Sequence, residues 1–196
     1  MKSQKIKDKM GNHIKGPLII KPVIFDDQRG YFYESWNERN FNNIIGQEIN
    51  FKQDNQSYSN KGVLRGLHFQ IGPNAQAKLI RVTSGSIFDV IVDIRKTSPT
   101  FKRWFGVNLN AENKKQLWIP IGFAHGFFTL SEYALVQYKT TAFWDGSLER
   151  SLNWQDKDIG ITWPFSEVNI KHPITSKKDD LAPTIKEILK SGDLFL

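Results

Sequence analysis

The sequence contains no cysteine and only four histidines among its 196 residues. The lack of cysteine excludes disulfides, thiolate metal sites and thiol nucleophiles, and it is typical of a reducing compartment. No apolar run is long enough to span a membrane, and no apolar segment of a signal peptide follows the basic start MKSQKIKDKM. We therefore expect a cytoplasmic protein with no membrane partner.

Positive charge is in modest excess, because 27 Lys and Arg residues against 20 Asp and Glu residues give a net charge of +7. The basic residues are scattered, and no zinc finger, aromatic RNA-binding motif or recognition helix accompanies them. This distribution argues against nucleic acid as a partner, and it leaves a phosphorylated small ligand open.

Short strand-like runs separated by turn residues dominate the chain. In SIFDVIVDIR, residues 86–95, large apolar residues alternate with a set that includes Asp89 and Asp93, which is the period of a strand with unequal faces. Ser84 and Gly85, between this run and AKLIRVTSG, predict a hairpin turn. Many short strands with glycine and proline turns indicate a mainly β fold, an antiparallel sandwich or jelly roll.

Helical patterns are sparse. NERNFNNII predicts a short helix around residues 41–45, and DDLAPTIKEILKSG predicts a better one, with proline near its start and Gly192 at its end. We expect one domain over residues 1–196, with its core at about 17–165 and a helical C-terminal segment at about 180–192.

Two of the histidines, His68 in GVLRGLHFQ and His125 in PIGFAHGF, lie in mostly apolar runs. Cupin barrels that bind a metal have two histidines one residue apart, then a glutamate, and later a proline–glycine–histidine segment. PIGFAH supplies the last part, but LHFQ has a single histidine, and no glutamate follows before residue 88. The sequence therefore predicts no metal site.

Polar residues accumulate around both histidines. Those that interrupt apolar strands are Arg65, Lys78, Asp89, Tyr138 and Lys139. Buried charges require partners, so these positions indicate either a substrate pocket or packed, hydrogen-bonded histidines. Arg65 and His68 are three residues apart and would point to opposite faces of a regular strand, unless Gly66 accommodates a β-bulge.

Five segments together resemble the dTDP-4-dehydrorhamnose 3,5-epimerase family. They are GVLRGLHFQ, IFDVIVDIRKTSPTF, AENKKQLWIPIGFAHGFFTLSEYA, QYKTT and IGITWP, and the likeness extends from about Pro17 to Pro183. The resemblance implies a metal-free, cofactor-free cupin-type antiparallel jelly-roll barrel with a few short peripheral helices, usually a homodimer. It also implies a dTDP-sugar substrate, dTDP-4-keto-6-deoxyglucose, whose C3 and C5 are inverted.

The resemblance further implies roles for individual residues. His68 is the expected base, Asp179 orients it, Tyr138 donates a proton, and Lys78 binds the substrate and stabilises the enolate. The family's other ligand contacts match Arg29, Glu34, Gln53, Asp54, Asn55, Arg65, His125, Glu149 and Lys178. The pair after QYKTT departs from the family, because it is Phe143–Trp144 where many members have a tyrosine-rich pair.

Three other functions remain open from the sequence. A sibling enzyme could epimerise C3 alone or isomerise the ketone of a related dTDP-sugar. A metal-dependent cupin oxygenase would need a bound metal. A non-catalytic jelly roll that binds nucleotide sugars would keep the arginines without needing His68 and Tyr138.

Overall fold

Thirteen strands in a computed structural model, which describes residues 1–195, form two large antiparallel sheets and one small hairpin. The strands are β1 (Lys2–Lys7), β2 (His13–Lys21), β3 (Phe25–Asp27), β4 (Gly30–Phe32), β5 (Gln53–Asn60), β6 (Leu64–Gln70), β7 (Lys78–Ser84), β8 (Ser86–Asp93), β9 (Trp104–Asn110), β10 (Gln116–Ile119), β11 (Phe123–Thr129), β12 (Tyr133–Thr140) and β13 (Glu149–Ser151). The six-stranded sheet has the order β1-β2-β10-β7-β12-β5, and the five-stranded sheet has the order β13-β6-β11-β8-β9.

The two large sheets pack face to face, and the core between them is apolar over most of its length. Ile80 and Val82 of β7 and Val136 of β12 pack there against Ile87 and Ile91 of β8. This sandwich confirms the predicted mainly β, jelly-roll architecture.

The chain beyond β13 covers the outer face of the five-stranded sheet. Leu67, Val90 and Val92 are fully buried there and belong to one cluster with Trp163 and Ile185. Strand β8 is therefore buried on both faces, so the polar members of its alternating pattern point into the sandwich interior and not to solvent.

Helices lie outside the sandwich. They are α1 (Glu38–Ile45), α2 (Lys177–Asp180), α3 (Ile185–Ser191) and a 3₁₀ turn at Phe165–Val168. The prediction of a helix at residues 41–45 is confirmed, and α1 begins earlier because Asn37 caps its N-terminus. At the predicted C-terminal segment there are two helices, and Thr184 starts the second with a capping box. No helix among residues 1–195 is long and apolar enough to cross a membrane.

The predicted hairpin at Ser84–Gly85 is wrong. β7 belongs to the six-stranded sheet and β8 to the five-stranded sheet, so this turn carries the chain from one sheet to the other. A Cβ at Gly85 would lie 2.0 Å from the Tyr133 carbonyl oxygen, so only glycine fits at this crossing. Alternation identifies strands, but it does not tell which strands pair.

The suggested β-bulge near Gly66 is confirmed. In the pairing of β6 with β11, His125 is opposite His68 and Phe127 is opposite Arg65, so three steps on β6 match two on β11. Gly66 has φ +117°, and a Cβ there would lie 2.5 Å from the Cα of Gly126. The bulge brings Arg65 and His68 onto the same, inner face of the sheet.

Candidate active site

His68 and Asp179 form the first polar pair of the site, which Asp179 reaches from α2, outside the sandwich. His68 Nε2 lies 2.6 Å from Asp179 Oδ1, with the aspartate side chain almost fully buried and the imidazole 27% exposed. Burial favours a raised pKa for Asp179, but the hydrogen bonds from His68 and Ser176 and the backbone N–H of Gly66 outweigh it and lower that pKa. The carboxylate is therefore charged and accepts a hydrogen bond from Nε2–H; in a neutral imidazole with this tautomer the lone pair is on Nδ1.

His125 and Asp89 form a second pair of the same kind. His125 is the register partner of His68, and its Nε2 lies 2.6 Å from Asp89 Oδ1. Asp89 is fully buried, and its Oδ2 has no hydrogen-bond partner among residues 1–195.

Lys78 and Tyr138 face these pairs from the opposite, six-stranded sheet. Lys78 continues the inward-facing set of β7, and Tyr138 that of β12. Burial lowers the pKa of Lys78 to about 8, against the opposing charges of Glu149 and Asp89. Burial also raises the pKa of Tyr138, and the charge of Glu149 adds to this, so the phenol stays protonated at neutral pH.

Glu149 and Lys178 close one side of the site with an ion pair of 2.6 Å. Burial opposes the charge of Glu149, but Lys178 and His68 together hold its pKa below the usual value. Arg65 lies nearby on the inner face of β6, and its Nε donates to Ser59 Oγ at 3.0 Å.

The Phe143–Trp144 loop lies over the edge of the two sheets, and glutamines hold its backbone. Gln53 Oε1 accepts from the Trp144 N–H at 2.9 Å, while Gln53 Nε2 donates to Asn55 Oδ1 at 2.8 Å. Gln70 Nε2 donates to the Phe143 carbonyl at 3.0 Å. The aromatic side chains themselves are more than 60% exposed.

Three predicted ligand contacts lie apart from this group. Asp54 points to the outer face of its sheet and pairs with Lys139 at 2.9 Å. Arg29, 90% exposed, pairs with Asp27 in the β3–β4 hairpin, and Glu34 accepts from the Asn37 side chain. Their roles toward a ligand stay predictions.

No group of three or more His, Cys, Asp or Glu side chains converges as metal ligands within residues 1–195. Gln70, at the position where metal-binding cupins have their second histidine, is 3% exposed and engaged with the 143–145 loop. Its amide nitrogen donates to the Phe143 carbonyl, and its amide oxygen accepts from the Asp145 N–H.

The sequence identifies Asp89 only as an interruption of an apolar strand and does not predict its partner. The signal that could have identified it is the period of two in β8, which puts Asp89 on the face that holds Ile87 and Ile91. A carboxylate on an inward face requires a cationic or donor partner, and His125 is that partner.

A two-sheet jelly roll in which histidine–aspartate pairs, a lysine and a tyrosine face one interior is the architecture of a cupin-like isomerase. A model of the family described as dTDP-4-dehydrorhamnose 3,5-epimerase matches residues 11–187. The dTDP-4-dehydrorhamnose 3,5-epimerase of Salmonella typhimurium is 56% identical over 172 residues, which are 88% of this chain and 92% of that protein. The chain belongs to the dTDP-4-dehydrorhamnose 3,5-epimerase family.

Solved structures agree with this assignment. A dTDP-6-deoxy-D-glucose-3,5-epimerase from Legionella pneumophila, in complex with dTDP-4-keto-L-rhamnose, superposes with a TM-score of 0.88 at 41% identity and covers 99% of this chain and 98% of its own. A 3'-monoepimerase from Streptomyces bikiniensis, in complex with dTDP-quinovose, has a TM-score of 0.86 at 34% identity, with 92% and 89% covered.

Proposed function

We propose that the protein inverts C3 and C5 of dTDP-4-keto-6-deoxyglucose, with His68 as base and Tyr138 as acid. The observation that carries this mechanism is their placement on opposite sheets: His68 is on β6 of the five-stranded sheet and Tyr138 on β12 of the six-stranded sheet. A sugar ring between them would have a base on one face and a proton donor on the other, which is what inversion of a carbon requires.

Each inversion begins with removal of a proton from a carbon next to the C4 ketone. Nδ1 of His68 takes this proton, and the charged carboxylate of Asp179 stabilises the imidazolium that results. The electron pair of the broken C–H bond forms a double bond to C4, and the π electrons of the ketone move to the C4 oxygen, where negative charge develops. Lys78, charged at neutral pH, stabilises this enolate from the six-stranded sheet.

Reprotonation from the opposite face completes the inversion. The Tyr138 phenol gives its proton to the carbon, and exchange with water restores His68 and Tyr138 before the second carbon reacts. The raised pKa of Tyr138 keeps the donor protonated throughout the neutral range.

The same interior offers groups for the rest of the nucleotide sugar. Arg65 presents a forked donor suited to a diphosphate, and the Lys178–Glu149 pair presents both a cation and an acceptor for hydroxyls. Gln53 and Asn55 line the edge strand beside Trp144.

The test is NMR of dTDP-4-keto-6-deoxyglucose incubated with the pure protein in heavy water. We expect deuterium at both C3 and C5, together with the dTDP-4-keto-L-rhamnose product. The second candidate is epimerisation of C3 alone, which the Phe143–Trp144 departure and the likeness to a 3'-monoepimerase favour. Deuterium and inversion confined to C3 would establish that alternative, and no exchange at all would indicate a non-catalytic binder.

We further propose a homodimer in the cytoplasm, with residues 1–196 acting as one domain. The hairpin β3–β4 supports the dimer. Its aromatic residues Phe25, Tyr31 and Phe32 are each more than half exposed, and such an exposed apolar patch is typical of an interface. Arg29, a predicted ligand contact that lies away from the site of its own chain, is in the same hairpin. The absence of cysteine suits the cytoplasm. Sedimentation of the pure protein tests the dimer, and fractionation of cells tests the location.

A further inference from the structure

Asp89 is a buried carboxylate whose bonding is incomplete. It is fully buried between the sheets, and only Oδ1 is engaged, by His125 Nε2 at 2.6 Å. Asp93, four residues along the same strand, is equally buried, but both of its oxygens accept hydrogen bonds. Leaving a buried carboxylate oxygen without a partner is unfavourable, so a structural role alone does not explain Asp89.

Lys78 and Asp89 both point into the interior, from opposite sheets. The carboxylate of Asp89 opposes the lowering of the Lys78 pKa by burial, as Glu149 does, whereas Lys178 adds to the lowering. The titratable and charged groups in this interior are Asp89 on β8, Glu149 on β13, Lys178 and Asp179 on α2, Arg65 and His68 on β6, His125 on β11, and Tyr138 on β12. The ammonium group therefore lies between unlike charges whose balance decides whether it is protonated.

We propose that Asp89 is a positioning residue of the epimerase site: one carboxylate oxygen orients His125, and the other presents negative charge to the interior that Lys78 faces. This inference rests on the proposed function, and it assigns Asp89 no contact with the substrate. Its effect is to keep a cation available for the enolate in a place where burial alone would favour a neutral amine.

Asp89→Asn tests the proposal, because the amide keeps the shape and an oxygen for the His125 Nε2–H but removes the charge. We expect the basic limb of the kcat/KM profile to move to lower pH by roughly one unit, so that the loss of activity grows as the pH rises. Ile91→Val, a change on the same strand and face without charge, is the matched control and should leave the limb in place. If kcat/KM of Asp89→Asn falls at the same basic pH as that of the parent, the proposal is overturned, even if the maximal kcat/KM is lower.

A second measurement separates this proposal from the proposed function. Side-chain ¹⁵N NMR of the lysines, with the Lys78 signal assigned by Lys78→Arg, gives the titration of Lys78 without any turnover. We expect the signal to titrate at lower pH in Asp89→Asn than in the parent, and equal titration in both would refute the role of Asp89. If the signal moves but the parent does not exchange protons of the dTDP-sugar, it is the proposed function that fails. Should Asp89→Asn not fold, Asp89→Ser carries the same comparison.

Discussion

His68 and His125 are direct register partners on neighbouring strands, and each has its Nε2 2.6 Å from an aspartate oxygen. They differ in access, since the His68 side chain is 27% exposed and that of His125 only 10%. Two imidazoles with nearly the same local chemistry thus lie side by side. The proposed mechanism assigns the base to His68, the more exposed of the two.

His68→Asn should abolish solvent exchange at both C3 and C5, with a loss of about 100- to 10,000-fold, because the base is removed. His125→Asn is the matched control, since it removes the neighbouring imidazole and should retain measurable exchange. Deuterium uptake followed by NMR compares the two. Near-parental exchange in His68→Asn would assign the base elsewhere, with His125 the first candidate.

Asp179→Asn should reduce activity less than His68→Asn does. The imidazole remains, but it loses the charged carboxylate that fixes its tautomer and stabilises the imidazolium. Steady-state kinetics, with circular dichroism as a check of the fold, measure the loss. A loss as large as that of His68→Asn would contradict a purely orienting role. It would indicate instead that the buried Asp179 is needed to keep the short helix α2 in place.

Tyr138→Phe should separate exchange from inversion. His68 and Lys78 can still form the enolate, but the proton returns mainly from the face it left. The ratio of deuterium incorporation to epimerised product should therefore rise above that of the parent. Tyr133→Phe, an exposed tyrosine at the start of the same strand, is the control. An unchanged ratio at an unchanged rate would exclude Tyr138 as the donor.

The activity of the parent should fall as the pH rises through about 8, where Lys78 loses its proton. The sign follows from burial, which lowers the pKa of the lysine, so that the cation is present below this pH and lost above it. Lys78→Arg keeps a charge at all these pH values and should remove the limb. If the activity of Lys78→Arg still falls at the same basic pH, another titrating group causes the fall.

Chelation should leave turnover unchanged. Gln70 stands where a second metal-binding histidine would be, and its amide is engaged with the 143–145 loop. The check is activity after exhaustive chelator treatment, with elemental analysis of the same sample. Stoichiometric metal together with chelator-sensitive activity would contradict this prediction.

The sequence predicted the strands and the inner polar positions Lys78, Asp89 and Tyr138, because alternation and burial act locally. Lys139, which interrupts the same strand as Tyr138, lies instead on the outer face and pairs with Asp54. It did not predict the sheet change at Gly85, since alternation carries no information on which strands pair. The meeting of His68 with Asp179, 111 residues apart, came only from the family resemblance. The pairing of Asp89 with His125 was missed because it depends on the register between β8 and β11.

The loop that carries Phe143 and Trp144 offers a route for engineering. Gln53 and Gln70, which belong to different sheets, hold the loop by three hydrogen bonds to its backbone atoms. The Trp144 side chain also lies within hydrogen-bonding reach of Glu149, so Phe143 is the position whose side chain can be exchanged without touching a group of the candidate site. A library at Phe143 would therefore test whether this loop influences the choice of nucleotide sugar separately from the groups that do the chemistry.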